Sequence, residues 1–382
     1  MKMLGTTRDS LLAQSRTSLE NGDGRGAETN CRTLLTIDPT CAEALNNLGL
    51  SLQQQDRLEE AAAVFHRLTL QAPALPIGHK NLGVILCALH RLEEGFASLR
   101  RHAQMVYQAP TQTHAEGNPD LAPKLKHDAE QRVWLNTQGH SFSPSSPLPF
   151  HISGGSRVVG SALNPKRSIH PLSTPRKPDP LVWVIDHLLS ETALAEFQRF
   201  CWDSTIWQKI YADGYLGAMS EDGFGSPLLA QIDQELRQSW PHIFRNLPLC
   251  QCWAFKYDSR MRGIGLHADS AAVNINFWIT PDDANLDPQS GGLVLWDEPA
   301  PQDWSFAQYN QDQAGIRRFL EEKKAHSVTV PFRTNRAIIF RSDLFHKTDD
   351  FTFRAGYLNR RINITLLYGQ RGDPSPNFSL SV

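Results

Sequence analysis

The chain reads as an α+β protein of two domains, an α-helical repeat solenoid followed by a β-rich sandwich or jelly roll braced by helices. Three observations predict this. The first hundred or so residues repeat with a period of 34, a Pro-, Ser- and Gly-rich stretch follows, and beyond Leu181 two helical patterns precede six short β-rich segments separated by Gly, Pro and Asp turns. A chain of 382 residues also exceeds what one core usually supports, so more than one domain is expected.

The 38 basic and 40 acidic side chains leave a net charge of −2, which gives no electrostatic reason to expect nucleic acid or an anionic membrane as partner. No run approaches the ~18 apolar residues of a membrane span, and MKMLGTTRDSLLAQ lacks an apolar signal region. A cytoplasmic protein with reduced thiols is therefore expected. Of six cysteines only Cys250 and Cys252 lie close together; a lone C-x-C is a poor zinc site, and alternate residues of a strand explain it better.

In the first domain Pro39 and Pro73 are 34 residues apart, as are Leu48-Gly49 and Leu82-Gly83, and Ala27, Ala61 and Gly95. Helical patterns such as ALNNLGLSLQQQ and LEEAAAVFHRLTLQAP carry small residues where two helices approach and a proline at the end of the second. This resembles the tetratricopeptide repeat, and implies about three helix-turn-helix units over 8–107, the first degenerate because Ser15 stands where later units have Gly. The resemblance implies a surface that takes a peptide or protein partner, with Asn47 and Asn81 either lining its concave face or serving as polar filler. The alternative is an array that only caps the next domain or joins protomers.

Residues 108–180 read as a linker with one short helix, 123–137, whose apolar stripe would be Leu125, Ala129, Val133 and Trp134. A basic cluster, Lys166, Arg167, His170, Arg176 and Lys177, suits a solvated tether, with phosphate binding as the alternative. The second domain spans 181–372 and a tail 373–382. It opens with the strand pattern LVWVIDHLL, then a helix capped by Ser190 with Ala193, Leu194, Phe197 and Phe200 on its apolar face, then a helix over 227–244.

The chemistry sits in this second domain. In an extended segment His267 and Asp269 project to one face, and His346, after the apolar run RAIIF, supplies a third donor. Two histidines and one carboxylate on one face of an octahedron leave three positions open, the arrangement of non-haem Fe(II) oxygenases.

Tyr257, His267-x-Asp269, Gly291-Gly292, His346 and Arg361-Ile-Asn-Ile-Thr365 follow in that order over Leu181 to Gln370. The order resembles the Fe(II)- and 2-oxoglutarate-dependent dioxygenases, in their prolyl-hydroxylase-like branch. The resemblance implies a double-stranded β-helix (jelly roll) over 181–372, Fe2+ held by His267, Asp269 and His346, and 2-oxoglutarate and O2 as cosubstrates, with ascorbate as an auxiliary reductant. It also implies that an arginine binds the far carboxylate of 2-oxoglutarate. Arg361, sharing a strand face with Asn363 and Thr365, suits that role, with Tyr257 and Thr365 as hydroxyl partners. The inserted DDFTFRAGYLNR leaves Arg360 and Arg354 as alternatives. Asp269, where halogenating relatives carry Ala or Gly, implies hydroxylation or a related oxidation.

Asn274, Asn276 and Trp278 alternate on one strand and must be paired, either with substrate or with neighbouring strands. The acid-rich 280–292 suits turn chemistry, and 303–326 is an insertion that forms either a lid or a surface excursion. The expected function is hydroxylation of a residue in a protein or peptide recruited by the repeats. The alternatives are a tailoring oxygenase acting on a free amino acid or small natural product, and a non-catalytic repeat-based binding or sensing protein.

Overall fold

The computed structural model describes residues 2–108 and 121–373, apart from 145, 212, 260 and 262. The chain divides into two compact units, Met1–Ala109 and Pro110–Val382. All of the expected tail except Asp373 lies outside the described residues.

The first unit is six helices, α1 (Lys2–Glu20), α2 (Gly24–Ile37), α3 (Ala42–Gln54), α4 (Leu58–Gln71), α5 (Pro76–Ala88) and α6 (Leu92–Gln108), each packed on the next. Leu45, Leu48, Leu52, Phe65, Leu68 and Leu82 form its core. The repeated small residues are there because helices touch. A Cβ on Gly49 would stand 2.5 Å from the Phe65 ring, and one on Gly83 would stand 2.8 Å from the Gly95 carbonyl oxygen. The period is also written in the backbone: Gly22, Asp56 and His90, equivalent positions after α1, α3 and α5, all adopt positive φ (73°, 57° and 61°).

Asn47 does not line an open face. It is 6% exposed and donates to the Ser15 hydroxyl at 3.0 Å, while Ser15 itself bonds Leu12 O at 2.8 Å. Ser15 thus replaces the small repeat residue with one whose hydroxyl is satisfied internally. Asn81 donates to Asn46 Oδ1 at 2.8 Å, so both amides are committed between helices.

Of the expected linker, the described residues from 121 onward belong to the second unit. Helix α7 (Ala122–Thr137) buries Lys124, His127, Gln131 and Leu135; of the expected stripe, Leu125, Ala129 and Val133 lie outside, while Trp134 is half-buried, donating to Asp203 Oδ1 at 2.7 Å. The apolar pattern misleads here because α7 docks on polar groups. Gln131 Nε2 donates to Trp202 O (3.0 Å) and Ser204 O (2.8 Å), and Lys256 Nζ donates to Tyr357 Oη (3.0 Å) and Cys201 O (3.2 Å), 3.4 Å from His127 Nε2. The Lys256 ammonium position also lies over the rings of Trp207 and Tyr357, 4.4 and 4.3 Å from their centroids. Three of the five residues of the basic cluster are spent on the fold, Arg167 stacking on Trp240, Arg176 pairing with Glu298 at 2.8 Å and Lys177 donating to Asp297 O, while Lys166 and His170 are exposed.

In chain order the rest of the unit comprises β1 (Ser168–Leu172), β2 (Val182–Asp186), α8 (Glu191–Asp203), β3 (Lys209–Ile210), β4 (Leu216–Met219), α9 (Pro227–Ser239), α10 (Pro241–Phe244), β5 (Leu249–Tyr257), β6 (Val273–Trp278) and β7 (Leu293–Pro299). After these come α11 (Gln313–Glu322), β8 (Ser327–Val330), β9 (Ala337–Arg341), β10 (Leu344–Thr348) and β11 (Arg361–Tyr368). As expected, the Ser190 side chain caps α8 by accepting from Ala193 N. An eight-stranded antiparallel sheet runs β1-β2-β9-β6-β11-β5-β4-β3, and a three-stranded one runs β10-β7-β8. From β6 onward the chain shuttles between the two. Their inner faces share one core, Tyr257, Trp278 and Phe340 from the large sheet against Leu293, Leu295 and Val330 from the small one. The sheets remain two ladders rather than one closed barrel. Among the described residues no helix is long and apolar enough to cross a membrane.

Two outcomes follow for stability. Replacing Gly83 by Ala should destabilise the helical unit by up to about 2 kcal/mol, the difference between overpacking of about 1–3 kcal/mol and a helix-propensity gain of about 1 kcal/mol; denaturant melts of the full chain read by far-UV circular dichroism measure it. Burial, helped by Lys256, lowers the His127 imidazole to about 3, whereas an unfolded histidine takes up its proton near pH 6.5. Between these values the unfolded chain binds more protons, so stability is full above about pH 6.5 and falls as the pH drops, by at most about 1.4 kcal/mol per unit. His127→Gln should flatten that slope in melts between about pH 6.5 and 4.

Candidate metal centre

The site starts from a reciprocal pair of backbone hydrogen bonds. His267 N donates to His346 O at 3.0 Å and His346 N donates to His267 O at 2.8 Å, which sets the two imidazoles side by side with centroids 4.3 Å apart. Asp269 N donates to Ser342 O at 2.9 Å and so turns its carboxylate to the same side. One donor atom from each of His267, Asp269 and His346 lies within 4.8 Å of the others, a spacing that can hold a metal ion.

The protonation pattern suits a cation. His267 Nδ1 is 2.8 Å from Gly265 O and His346 Nδ1 is 2.9 Å from Leu344 O. A carbonyl oxygen only accepts, so each Nδ1 carries a proton and the ring turns its Nε2 toward Asp269. Those Nε2 atoms stand 3.6 and 3.5 Å from the Asp269 oxygens. Burial, with His346 adding to it, lowers His267 to about 4, so its ring is neutral at neutral pH. Burial opposes the Asp269 carboxylate, but its contact with His346 and the bond from Asn274 outweigh that and hold it below its ordinary value.

Asn274 and Asn276 belong to this support. Asn274 Nδ2 donates to Asp269 Oδ2 at 2.5 Å, Asn276 Nδ2 donates to Asn274 Oδ1 at 2.6 Å, and Asn276 Oδ1 accepts from Asn363 Nδ2 (2.9 Å) and Thr365 Oγ1 (2.7 Å). Of the two partners open to these amides, neighbouring groups of the protein are the ones in place. Thr365 faces the cavity with its hydroxyl proton already given to Asn276.

Arg361 lies deeper, 1% exposed. Its Nε donates to Gly291 O at 2.7 Å and its Nη2 to Gly292 O at 3.2 Å, while the rings of Tyr257, Phe351 and Trp278 surround it at 5.2, 5.3 and 5.9 Å. Burial lowers the guanidinium only to about 10, with Tyr257 pulling the other way, so it stays charged at neutral pH. Its Nη1, the Tyr257 hydroxyl, the Trp278 indole N–H and Asn363 Oδ1 are all buried without a hydrogen-bond partner. Burial also pushes the Tyr257 hydroxyl up to about 12, so it remains a donor. A buried cation with spare donors around it is short of an anion. The two alternative arginines are engaged elsewhere: Arg360 pairs with Glu130 at 2.9 Å, and Arg354 is more than half exposed beside Asp283.

A cavity of about 430 Å³ opens onto the three donors and is also lined by Thr348, Thr365 and Asn363. Sequence reasoning passed over Thr348, which stands two residues after His346 on β10 and was legible by strand alternation. It also left the insertion undecided. Residues 307–311 form a π-helical turn in which Tyr309 O accepts from Ala268 N and Asn310 Nδ2 donates to Ala268 O, both at 2.9 Å, gripping the residue between His267 and Asp269. With Ile316 and Leu320 packed on Leu266 and Phe345, the insertion is a fixed wall of the site rather than a surface excursion. The acid-rich 280–292 is spent on turns: Asn285 accepts from Asp287 N, Asp287 from Gln289 N, and Asp282 from Thr334 N.

No protein-family model matches the chain, and no curated protein matches it. Solved structures do. An O-GlcNAc transferase of Thermobaculum terrenum matches at 24% identity over 36% of this chain and 24% of its own, with a TM-score of 0.27, so this chain spans about a quarter of that protein. The non-heme alpha ketoglutarate dependent epimerase SnoN from nogalamycin biosynthesis matches at 12% identity over 50% of this chain and 78% of its own, with a TM-score of 0.37. HygX of Streptomyces hygroscopicus, solved with nickel and 2-oxoglutarate bound, matches at 11% identity over 51% and 85%, with a TM-score of 0.35. At such TM-scores the likeness carries no weight, and the residues themselves must supply the chemistry.

Removing the Asn274 donor should loosen Asp269 without touching a ligand atom. Asn274→Ala is expected to weaken Mn(II) or Fe(II) binding about 10- to 100-fold in a metal titration, with His267→Ala losing binding altogether.

Proposed function

We propose that the chain is an Fe(II)- and 2-oxoglutarate-dependent oxygenase whose second unit is a double-stranded β-helix, and that it hydroxylates a residue of a polypeptide held by the repeat unit. One observation carries the reading: three metal-type donors meet at one point of a cavity, and Arg361, two residues before the cavity-lining Asn363 on β11, is buried with its Nη1 unpaired among the described residues. The donor set fits Fe(II), since two imidazoles and one carboxylate on a single face leave room for exchangeable ligands. Bound there, the iron supplies dioxygen activation coupled to decarboxylation of 2-oxoglutarate to succinate.

The residues divide the remaining work. His267, Asp269 and His346 hold the metal, and the Gly265 and Leu344 carbonyls keep both Nε2 atoms available to it. Arg361 Nη1, with the Tyr257 hydroxyl beside it, receives the far carboxylate of 2-oxoglutarate, and the rings of Tyr257, Phe351 and Trp278 keep water from that ion pair. Thr348, whose Oγ1 accepts from Ile264 N, keeps a hydroxyl proton to give and adds a donor to the cavity wall. The stacked helices of the repeat unit suit an extended polypeptide, which favours a protein or peptide substrate over a free amino acid.

Succinate release from 2-oxoglutarate, with Fe(II) and ascorbate present, tests the enzyme reading. Wild type should turn over and His267→Ala should not; a wild-type chain that neither binds metal nor consumes 2-oxoglutarate sinks it. Arg361→Gln should raise the 2-oxoglutarate dissociation constant by an amount equivalent to about 2–5 kcal/mol while leaving metal affinity in place. Polypeptides retained by the full chain and gaining the mass of one oxygen atom would identify the substrate, and retention of none would move the substrate to the small-molecule class.

A further inference from the structure

One wall of the cavity is built from rings, and through Tyr215, stacked on Tyr257 at 5.0 Å, it adjoins the rings around Arg361. The tip of the β3–β4 hairpin carries Tyr211 and Tyr215, stacked with centroids 4.6 Å apart and planes 7° from parallel, and Phe255 meets both edge-on at 5.3 and 5.2 Å. The platform is constructed rather than incidental. Gly217 lets Tyr211 lie flat across β4, since a Cβ there would stand 2.8 Å from the Tyr211 ring, and Gly214, at φ 83°, turns the hairpin between the tyrosines. Trp253, 5.9 Å from Phe255, continues the wall, and Phe306 from the insertion, 50% exposed, stands at the cavity on the other side.

One polar atom on this wall is unspent. The Trp253 indole N–H is buried and has no hydrogen-bond partner among the described residues. An orphaned donor calls for an acceptor from the ligand, and its positive end repels a cation that the rings would otherwise welcome. The side chains that share the mouth, Gln251, Asn310 and Gln313, are neutral amides able to serve peptide-like groups. Among the described lining residues the formal charge belongs to the His267, Asp269 and His346 cluster, so a zwitterion entering here would give up water for ring faces.

Resting on the oxygenase reading, we propose that this aromatic wall is the subsite for the group to be oxidised, and that it takes an uncharged, ring-bearing group with a carbonyl-type acceptor beside the ring. An internal aromatic residue of a polypeptide has that chemistry, and so does a neutral small molecule with a fused ring and a carbonyl. Phe306 and Trp253 are its specificity-determining residues.

Saturation-transfer NMR and calorimetry on the full chain test this without turnover. The probes are N-acetyl-phenylalaninamide, the capped peptide Ac-Gly-Gly-Phe-Gly-Gly-NH2, coumarin, free phenylalanine, N-acetyl-lysinamide and tetramethylammonium. The neutral ring probes should bind about tenfold or more tighter than the two cations, a ratio equivalent to one aromatic contact or more, and about tenfold or more tighter than free phenylalanine, whose ring is the same but whose two charges must shed water. A capped peptide that outbinds coumarin assigns the group to a polypeptide, and the reverse order assigns it to a small molecule; either supports the subsite. Phe306→Ala, at an exposed position that the fold tolerates, should weaken the ring probes about three- to tenfold, and Trp253→Phe should weaken the carbonyl-bearing probes while keeping the ring. Equal or tighter binding of free phenylalanine or a cation overturns the proposal, as does unchanged affinity in Phe306→Ala. Mn(II) and 2-oxoglutarate binding, measured in parallel, separates the two readings. If both bind while no ring probe does, only the subsite fails; if ring probes bind and neither of these does, the oxygenase reading fails and the wall is left as a binding site for ring-bearing groups with no part in an oxidation.

Discussion

Two hydrogen bonds between the backbones of His267 and His346 join segments that are remote in sequence, and the site depends on them. Their own worth is small, about 1 kcal/mol each. What they decide is register, because a slip of one residue would turn either imidazole to the other face. The surroundings keep the register: β10 is paired along β7, and the insertion holds Ala268 by both its N–H and its carbonyl. A ligand set of three side chains is thus positioned by backbone, and the amides of Asn274 and Asn276 complete the orientation of the carboxylate.

Arg361 shows the opposite economy. A charged guanidinium with two carbonyl partners, three rings and no paired carboxylate is a burden on the folded state, several kcal/mol by the usual desolvation argument. Groups so placed are found where a ligand supplies the missing charge. Its partners also explain the Gly291-Gly292 pair. Gly291 takes φ 82°, and a Cβ on Gly292 would collide with Val330 O at 1.8 Å, so both glycines are needed to bring their carbonyls to the arginine.

The polar seam under α7 is of a different kind. Lys256, pushed well below its ordinary value by burial, lies with His127, Cys201 and Tyr357 in a sealed cluster that opens onto no described cavity. It joins the segment before the strands to the back of the large sheet and makes that segment part of the unit. The same logic operates in the helical unit with different means, where glycines let helices touch and a left-handed residue ends the first helix of each pair.

What the sequence determined by itself was periodic or local. The 34-residue repeat, the Ser190 cap, the i, i+2 spacing of His267 and Asp269, and the order of Tyr257, Gly291-Gly292, His346 and Arg361 could all be read because each is a spacing along one chain, although His267 sits in an isolated bridge rather than the extended strand expected of it. The tertiary structure decided everything that turns on a distant partner. Leu125 and Val133 faced solvent because α7 met hydrogen-bonding groups instead of an apolar surface. Asn274 became the support of Asp269, Asn47 the partner of Ser15, and Tyr309 and Asn310 the clamp on Ala268, contacts between residues with no shared periodicity. Hydrophobic pattern records how much of a side chain leaves water, but which polar group it then meets is settled only when strands and helices from elsewhere in the chain arrive beside it.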